Sequence, residues 1–173
     1  MNTTTQPTIL VIEDDTALLS AISAKLSRSG FQIITARSVE SAFTQEFIPT
    51  ISTTLSGDTI EKTLEHLNQL EKVNAIWLDH NLIGDEDGLD FIVKLKANGG
   101  TWSTMPIFVV SNSANPELRD TYTELDVQRY YLKAEHRLED IVTDIATTLK
   151  YAPTTQTGYE PIVQTVPRIG NTL

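Results

Sequence analysis

Three short unbroken apolar runs punctuate the chain: Ile9-Leu10-Val11-Ile12 after Thr8, Ala75-Ile76-Trp77-Leu78, and Ile107-Phe108-Val109-Val110. Apolar runs of this length without polar alternation read as strands buried on both faces, the habit of a parallel sheet. Residues 31–35 and 128–132 supply two further strand segments. Between them the spacing turns helical. Leu18, Leu19, Ile22 and Leu26 mark a first helix from Thr16 to about Ser29, which Gly30 ends. Ser38 is an acceptable N-cap for a second helix over 39–47. A third runs from Gly88 to about Asn98, with Leu89, Ile92, Val93 and Leu95 as its predicted buried face and Gly99-Gly100 as its stop. Asn115-Pro116-Glu117 opens a fourth, with proline in the first turn, ending near Asp126, and a fifth covers 135–150. Strands alternating with helices predict an α/β fold: a five-stranded parallel sheet wrapped on both faces.

Two stretches break the rhythm. Residues 49–57 have no helical period, whereas Asp58-Thr59-Ile60-Glu61 resembles a capping box, and Ile60, Leu64, Leu67, Leu70 and Val73 trace one apolar stripe. The connection from the second strand to the third is thus about twice what one crossover helix needs. From Tyr151 onward the composition shifts to Thr, Pro and Gln. The expected organisation is one domain over 1–150, with an extra segment near 49–73, and a C-terminal extension over 151–173.

Composition narrows the function classes. A formal net charge of −10 argues against non-specific binding to nucleic acid or anionic membranes. The absence of cysteine excludes thiolate catalysis, disulfides and thiolate-bound zinc. The N-terminal residues lack a signal-peptide pattern, and no run approaches the ~18 apolar residues of a membrane span. A soluble, cytoplasmic protein is expected.

The candidate chemistry lies at the strand ends. Glu13 and Asp14 follow the first strand, Asp79 the third, Ser111 the fourth and Lys133 the fifth. Each alone has an ordinary explanation, and Asp14 or Asp15 would serve as an N-cap of the first helix. As a set they are chemically coherent, because ligands in open α/β sheets collect at the carboxyl edge of the strands. Carboxylates brought together raise one another's pKa unless a cation joins them. An oxygen-only site suits Mg²⁺. His66, His80 and His136 lack ligand spacing and read as surface residues.

The set Ile12-Glu13-Asp14, Leu78-Asp79, Val110-Ser111 and Tyr130-Tyr131-Leu132-Lys133 resembles the receiver domain of two-component response regulators, over residues 8–149 and in the correct order. That resemblance implies a doubly wound, flavodoxin-like sheet of order 2-1-3-4-5, an order for which the family is a standard example. It also implies Asp79 as phosphoacceptor, Lys133 and Ser111 as its partners, and Mg²⁺ held by Asp14, Glu13, Asp79 and the Asn81 carbonyl. Tyr130 matches the aromatic that swings inward when the hydroxyl engages the phosphoryl group, with Tyr131 as the alternative. Asn81 and Ser113 fall where the family tunes water attack. The chain departs from the pattern in its loops. The stretch from Asp79 to Gly88 is one residue longer than usual, with Ile83 in place of proline. Asn112 replaces a small residue, and Ala134 replaces the proline after Lys133, so a trans bond is expected there.

The implied function is a phosphoacceptor switch that takes its phosphoryl group from a histidine kinase or phosphotransfer protein. It would signal to a downstream protein, or to a second copy, through the face formed by the fourth helix, fifth strand and fifth helix. It is a signalling receiver that assists its own phosphotransfer, not a turnover enzyme. A phospho-independent pseudo-receiver scaffold is the alternative. A phosphohydrolase is the third reading, disfavoured because Asn81 stands where a second carboxylate would be needed. No basic helix-turn-helix is present, so direct nucleic-acid binding is not expected.

Overall fold

The computed structural model describes residues 6–43, 73–97 and 103–152. In chain order the described elements are β1 (Thr8–Ile12), α1 (Thr16–Arg28), β2 (Gln32–Ala36), α2 (Val39–Phe43), β3 (Val73–Leu78), α3 (Gly88–Ala97), β4 (Ile107–Ser111), α4 (Pro116–Glu124), β5 (Arg129–Leu132) and α5 (Leu138–Thr148). The strands form one parallel sheet of order β2-β1-β3-β4-β5. This is the flavodoxin-like arrangement. The 58–61 capping box, the 49–72 segment, Gly99-Gly100 and the tail beyond residue 152 lie outside the described residues.

The apolar runs became central strands because both of their faces are covered. Along β1, Leu10 and Ile12 face a core shared with Val39 and Ala42 of α2, Phe91, Ile92 and Leu95 of α3, and Tyr122 of α4. Ile9 and Val11 face a second core with Ile22 and Leu26 of α1 and Ile141, Val142 and Ile145 of α5. The period-two alternation of a strand thus feeds two cores, one on each side of the sheet.

Several boundaries differ from the sequence expectation. Val73 does not end a helical stripe but opens β3, paired with Thr8 and buried. The register shifts between Thr8 and Ile9, so Asn74 is left without a partner on β1. Its side-chain oxygen instead accepts the Thr8 N–H at 2.8 Å. On α3 the buried face is Gly88, Phe91, Ile92 and Leu95, whereas Val93 is 56% exposed. Helix α5 starts at Leu138, later than 135, because the N–H groups of Glu135 and His136 both turn back to the Leu132 carbonyl. Its first turn carries Glu139 and Asp140, which suit the positive end of the helix dipole.

Tyr151 closes the described structure. Its hydroxyl donates to the Gly30 carbonyl at 3.0 Å, and its ring lies 5.1 Å from that of Phe31. Gly30 is in the left-handed region (φ 85°), and a side chain there would collide with the Tyr151 hydroxyl. Among the described residues no helix is long and apolar enough to cross a membrane.

Candidate functional site

Parallel register brings the strand ends together. Ile12 pairs with Leu78, and the Asp79 N–H donates to the Ile12 carbonyl at 2.9 Å, so Glu13 and Asp79 emerge side by side. Ser111 pairs with Leu132, and the Lys133 N–H donates to the Ser111 carbonyl at 2.8 Å. These bonds carry the ladder one residue past each strand and fix where the polar side chains begin.

Two adjacent aspartates divide the work of the first turn. Asp15 caps α1, accepting the N–H groups of Ala17 and Leu18 at 2.8 and 2.9 Å. That leaves the Asp14 carboxylate outside the cap. Carboxylate oxygens of Glu13, Asp14 and Asp79 all lie within 4.8 Å of one another. Lys133 Nζ donates to Asp79 Oδ2 at 2.7 Å and to Glu13 Oε2 at 2.9 Å. Glu13 and Asp79 are both buried, and Lys133 is largely so.

One ammonium does not balance three carboxylates. Burial pushes the Glu13 carboxyl above its ordinary value, and the neighbouring Asp79 charge adds to this, against the opposing pull of Lys133. Burial alone would lower the Lys133 ammonium, but its bonds to Asp79 and Glu13 and their charges more than offset it, and its pKa rises. Both shifts describe one cluster with surplus negative charge. The donor set is oxygen-only, partly buried and open at Asp14, so a divalent cation of the Mg²⁺ type fits it.

The other expected residues fall around this cluster. Ser111 is fully buried and its Oγ accepts the Ser113 N–H at 3.0 Å. Asn81 is exposed, and its N–H donates to Asp79 Oδ1 at 3.3 Å. Tyr130 and Tyr131 part to opposite sides of the sheet. Tyr130 packs on the α4 side and donates its hydroxyl to the Ser113 carbonyl at 2.7 Å. Tyr131 is buried on the α1/α5 side and bonds Asp144 at 2.7 Å, so it is remote from Ser113. Among the described residues no peptide bond is cis, Lys133–Ala134 included.

Three neighbours of the site have contacts there that the sequence alone does not assign to them. Arg37, the first residue after β2, donates from Nε and an Nη to the Asp14 carbonyl at 3.3 and 3.0 Å, holding the β1–α1 turn. Its place beside β1 at the carboxyl edge was the available signal. His80 is not a surface residue: its side chain is 14% exposed, and Nδ1 lies 2.9 Å from the hydroxyl of fully buried Tyr122. Its partner stands 42 residues away on a helix of otherwise polar character, which hides the pairing from sequence inspection. Gly88 completes the corner, for a Cβ there would lie 2.7 Å from the Tyr122 hydroxyl and 2.8 Å from the Asp79 carbonyl.

No protein-family model matches the chain, and no curated protein matches it in sequence. Solved structures do match. A two-component response regulator from Clostridium difficile aligns with TM-score 0.61 and 18% identity over 84% of this chain and 97% of that one. A response regulator receiver protein from Pseudomonas putida aligns with TM-score 0.61 and 19% identity over 82% and 97%. The BeF3-activated N-terminal receiver domain of Klebsiella pneumoniae RstA aligns with TM-score 0.60 and 17% identity over 83% and 98%. The chain has the fold of response-regulator receiver domains, with an acidic cluster at the carboxyl edge of its sheet able to hold a divalent cation.

Proposed function

We propose that the domain is a phosphoacceptor switch of two-component signalling. The observation that carries this reading is the Lys133 ammonium shared between Asp79 and Glu13, with Asp14 alongside. An oxygen of the Asp79 carboxylate attacks the phosphorus of a phosphohistidine on a kinase or phosphotransfer protein. The P–N bond breaks, and the imidazole leaves with a proton from solvent. Asp14, Glu13, Asp79 and the Asn81 carbonyl would hold Mg²⁺, whose charge offsets that of the incoming phosphoryl oxygens. Lys133 supplies a second positive charge, and the Ser111 hydroxyl donates to a phosphoryl oxygen once it is attached.

The new group adds about −1.5 to −2 of charge beside Ser111 and Lys133. Ser111, drawn toward it, carries along the bonded Ser113, whose carbonyl holds Tyr130, and so shifts the α4–β5–α5 face toward the arrangement with Tyr130 seated. A downstream protein, or a second copy, reads that face. Two structurally similar domains, DrrB and RstA, are described as BeF3-activated, which supports the same chemistry here. The test is incorporation of phosphate from a small phosphodonor with Mg²⁺. Wild type should be labelled and Asp79→Ala should not. Equal labelling of both overturns the assignment, and no labelling of either, with no Mg²⁺ binding, favours the phospho-independent scaffold.

A further inference from the structure

Tyr122 is the largest polar side chain in the core on the α4 side, fully buried on a helix whose remaining residues are mostly exposed. It makes three contacts that converge on the site. Its hydroxyl is hydrogen-bonded to His80 Nδ1 at 2.9 Å, and the two rings meet edge-on at 5.8 Å. Gly88 lies close beneath that hydroxyl and beside the Asp79 carbonyl, and the Gly88 N–H donates to the His80 carbonyl at 2.9 Å. On its other side the Tyr122 ring lies 5.5 Å from that of Tyr130.

These contacts close a circuit. From Asp79 it passes to the adjoining His80, to Tyr122 on α4, to Tyr130 on β5, to the Ser113 carbonyl, and through the Ser113 N–H to Ser111 Oγ, back at the site. We propose that Tyr122, bonded to His80, is a brace that keeps Tyr130 seated against α4 and ties that position to the loop carrying Asp79. The inference rests on the phosphoacceptor reading and adds its regulation. A contact stabilises the arrangement in which it is made, and these contacts are made with Tyr130 seated against α4 and bonded to the Ser113 carbonyl. The brace therefore presets the receptive arrangement, and a phosphoryl mimic binds without first having to reposition Tyr130. His80 and Tyr122 are positioning residues, since neither bonds a carboxylate of the acidic cluster directly among the contacts described.

The experiment is a beryllium fluoride titration with Mg²⁺, followed by tryptophan fluorescence. Tyr122→Phe keeps the ring and removes the bond to His80, and the lost bond should weaken binding about two- to tenfold. His80→Leu removes the same bond from the other side and should weaken it by a like factor, so the result does not hang on one variant. In a Tyr130→Ala background, Tyr122→Phe should have no further effect. Wild-type affinity in both single variants overturns the brace. A loss that persists without Tyr130 also overturns it, because the effect would then be confined to the Asp79 loop. Failure of wild type to bind beryllium fluoride at all is a separate result that removes the phosphoacceptor reading and the brace with it.

Discussion

Lys133 and Asp79, 54 positions apart in sequence, meet with Nζ 2.7 Å from Oδ2. That bond is half of a fork whose other arm reaches Glu13. Lys133→Met leaves two buried carboxylates facing each other unpaired and should destabilise the domain by about 3 kcal/mol. Asp79→Asn removes one member of a like-charged pair and should leave stability unchanged or raised. Urea unfolding of the two variants checks this, and equal midpoints would show that the fork carries little energy.

The same surplus of negative charge sets a pH dependence. Burial and then Asp79 hold the Glu13 carboxyl above its ordinary value of 4.5, while Lys133 pulls the other way. The folded state therefore binds that proton more tightly than the unfolded chain. The resulting stability is present below pH 4.5 and is lost as pH rises through the higher folded-state value. A divalent cation held by the cluster would compete with this proton, so Mg²⁺ affinity should fall on acidification already above the ordinary carboxylate range. Mg²⁺ titrations at a series of pH values measure this, and an affinity that holds down to pH 4.5 contradicts it.

Gly88 admits no side chain. A Cβ would press on the Asp79 carbonyl and the Tyr122 hydroxyl together, and a backbone atom cannot rotate away. Gly88→Ala should cost about 2 kcal/mol of stability and weaken Mg²⁺ binding, because the loop behind Asp79 must shift. Parallel urea and Mg²⁺ titrations would reveal a loss in one without the other.

Asp15 caps α1, whereas the neighbouring Asp14 places its carboxylate in the acidic cluster. Asp15→Ala removes the cap of α1 and should cost about 1 kcal/mol while Mg²⁺ affinity stays near wild type. Asp14→Ala should do the reverse. Exchange of the two phenotypes would mean that the cap and the cation site have been assigned to the wrong residues.

Much of this was legible in the chain itself. The runs 9–12, 75–78 and 107–110 are apolar because helices cover both of their faces, so strand, burial and central position could all be read from one pattern. The strand-end acids followed from the first two of these runs and Lys133 from the 128–132 segment, since a parallel sheet collects its carboxyl ends at one edge. What escaped was set by pairing rather than period. Val73 fits a helical stripe as well as a strand, and only its pairing with Thr8 decides between them. Val93 and Phe91 are two positions apart on α3, and which of them is buried depends on how the helix meets the sheet. His80 is polar and follows a strand, which suggests solvent; its partner Tyr122 lies 42 residues away on a helix of otherwise polar character.

The Tyr151 ring rests on Gly30 and Phe31, at the amino edge where β2 begins, whereas Asp79 lies at the opposite pole of the same strands. Tyr151 and Ala152 thus lie at the end of the described sheet remote from the acids. A dye or surface tether attached at Ala152 is anchored at that far end, which makes this residue the natural handle for immobilising the domain while donors and cations are exchanged at the acidic pocket.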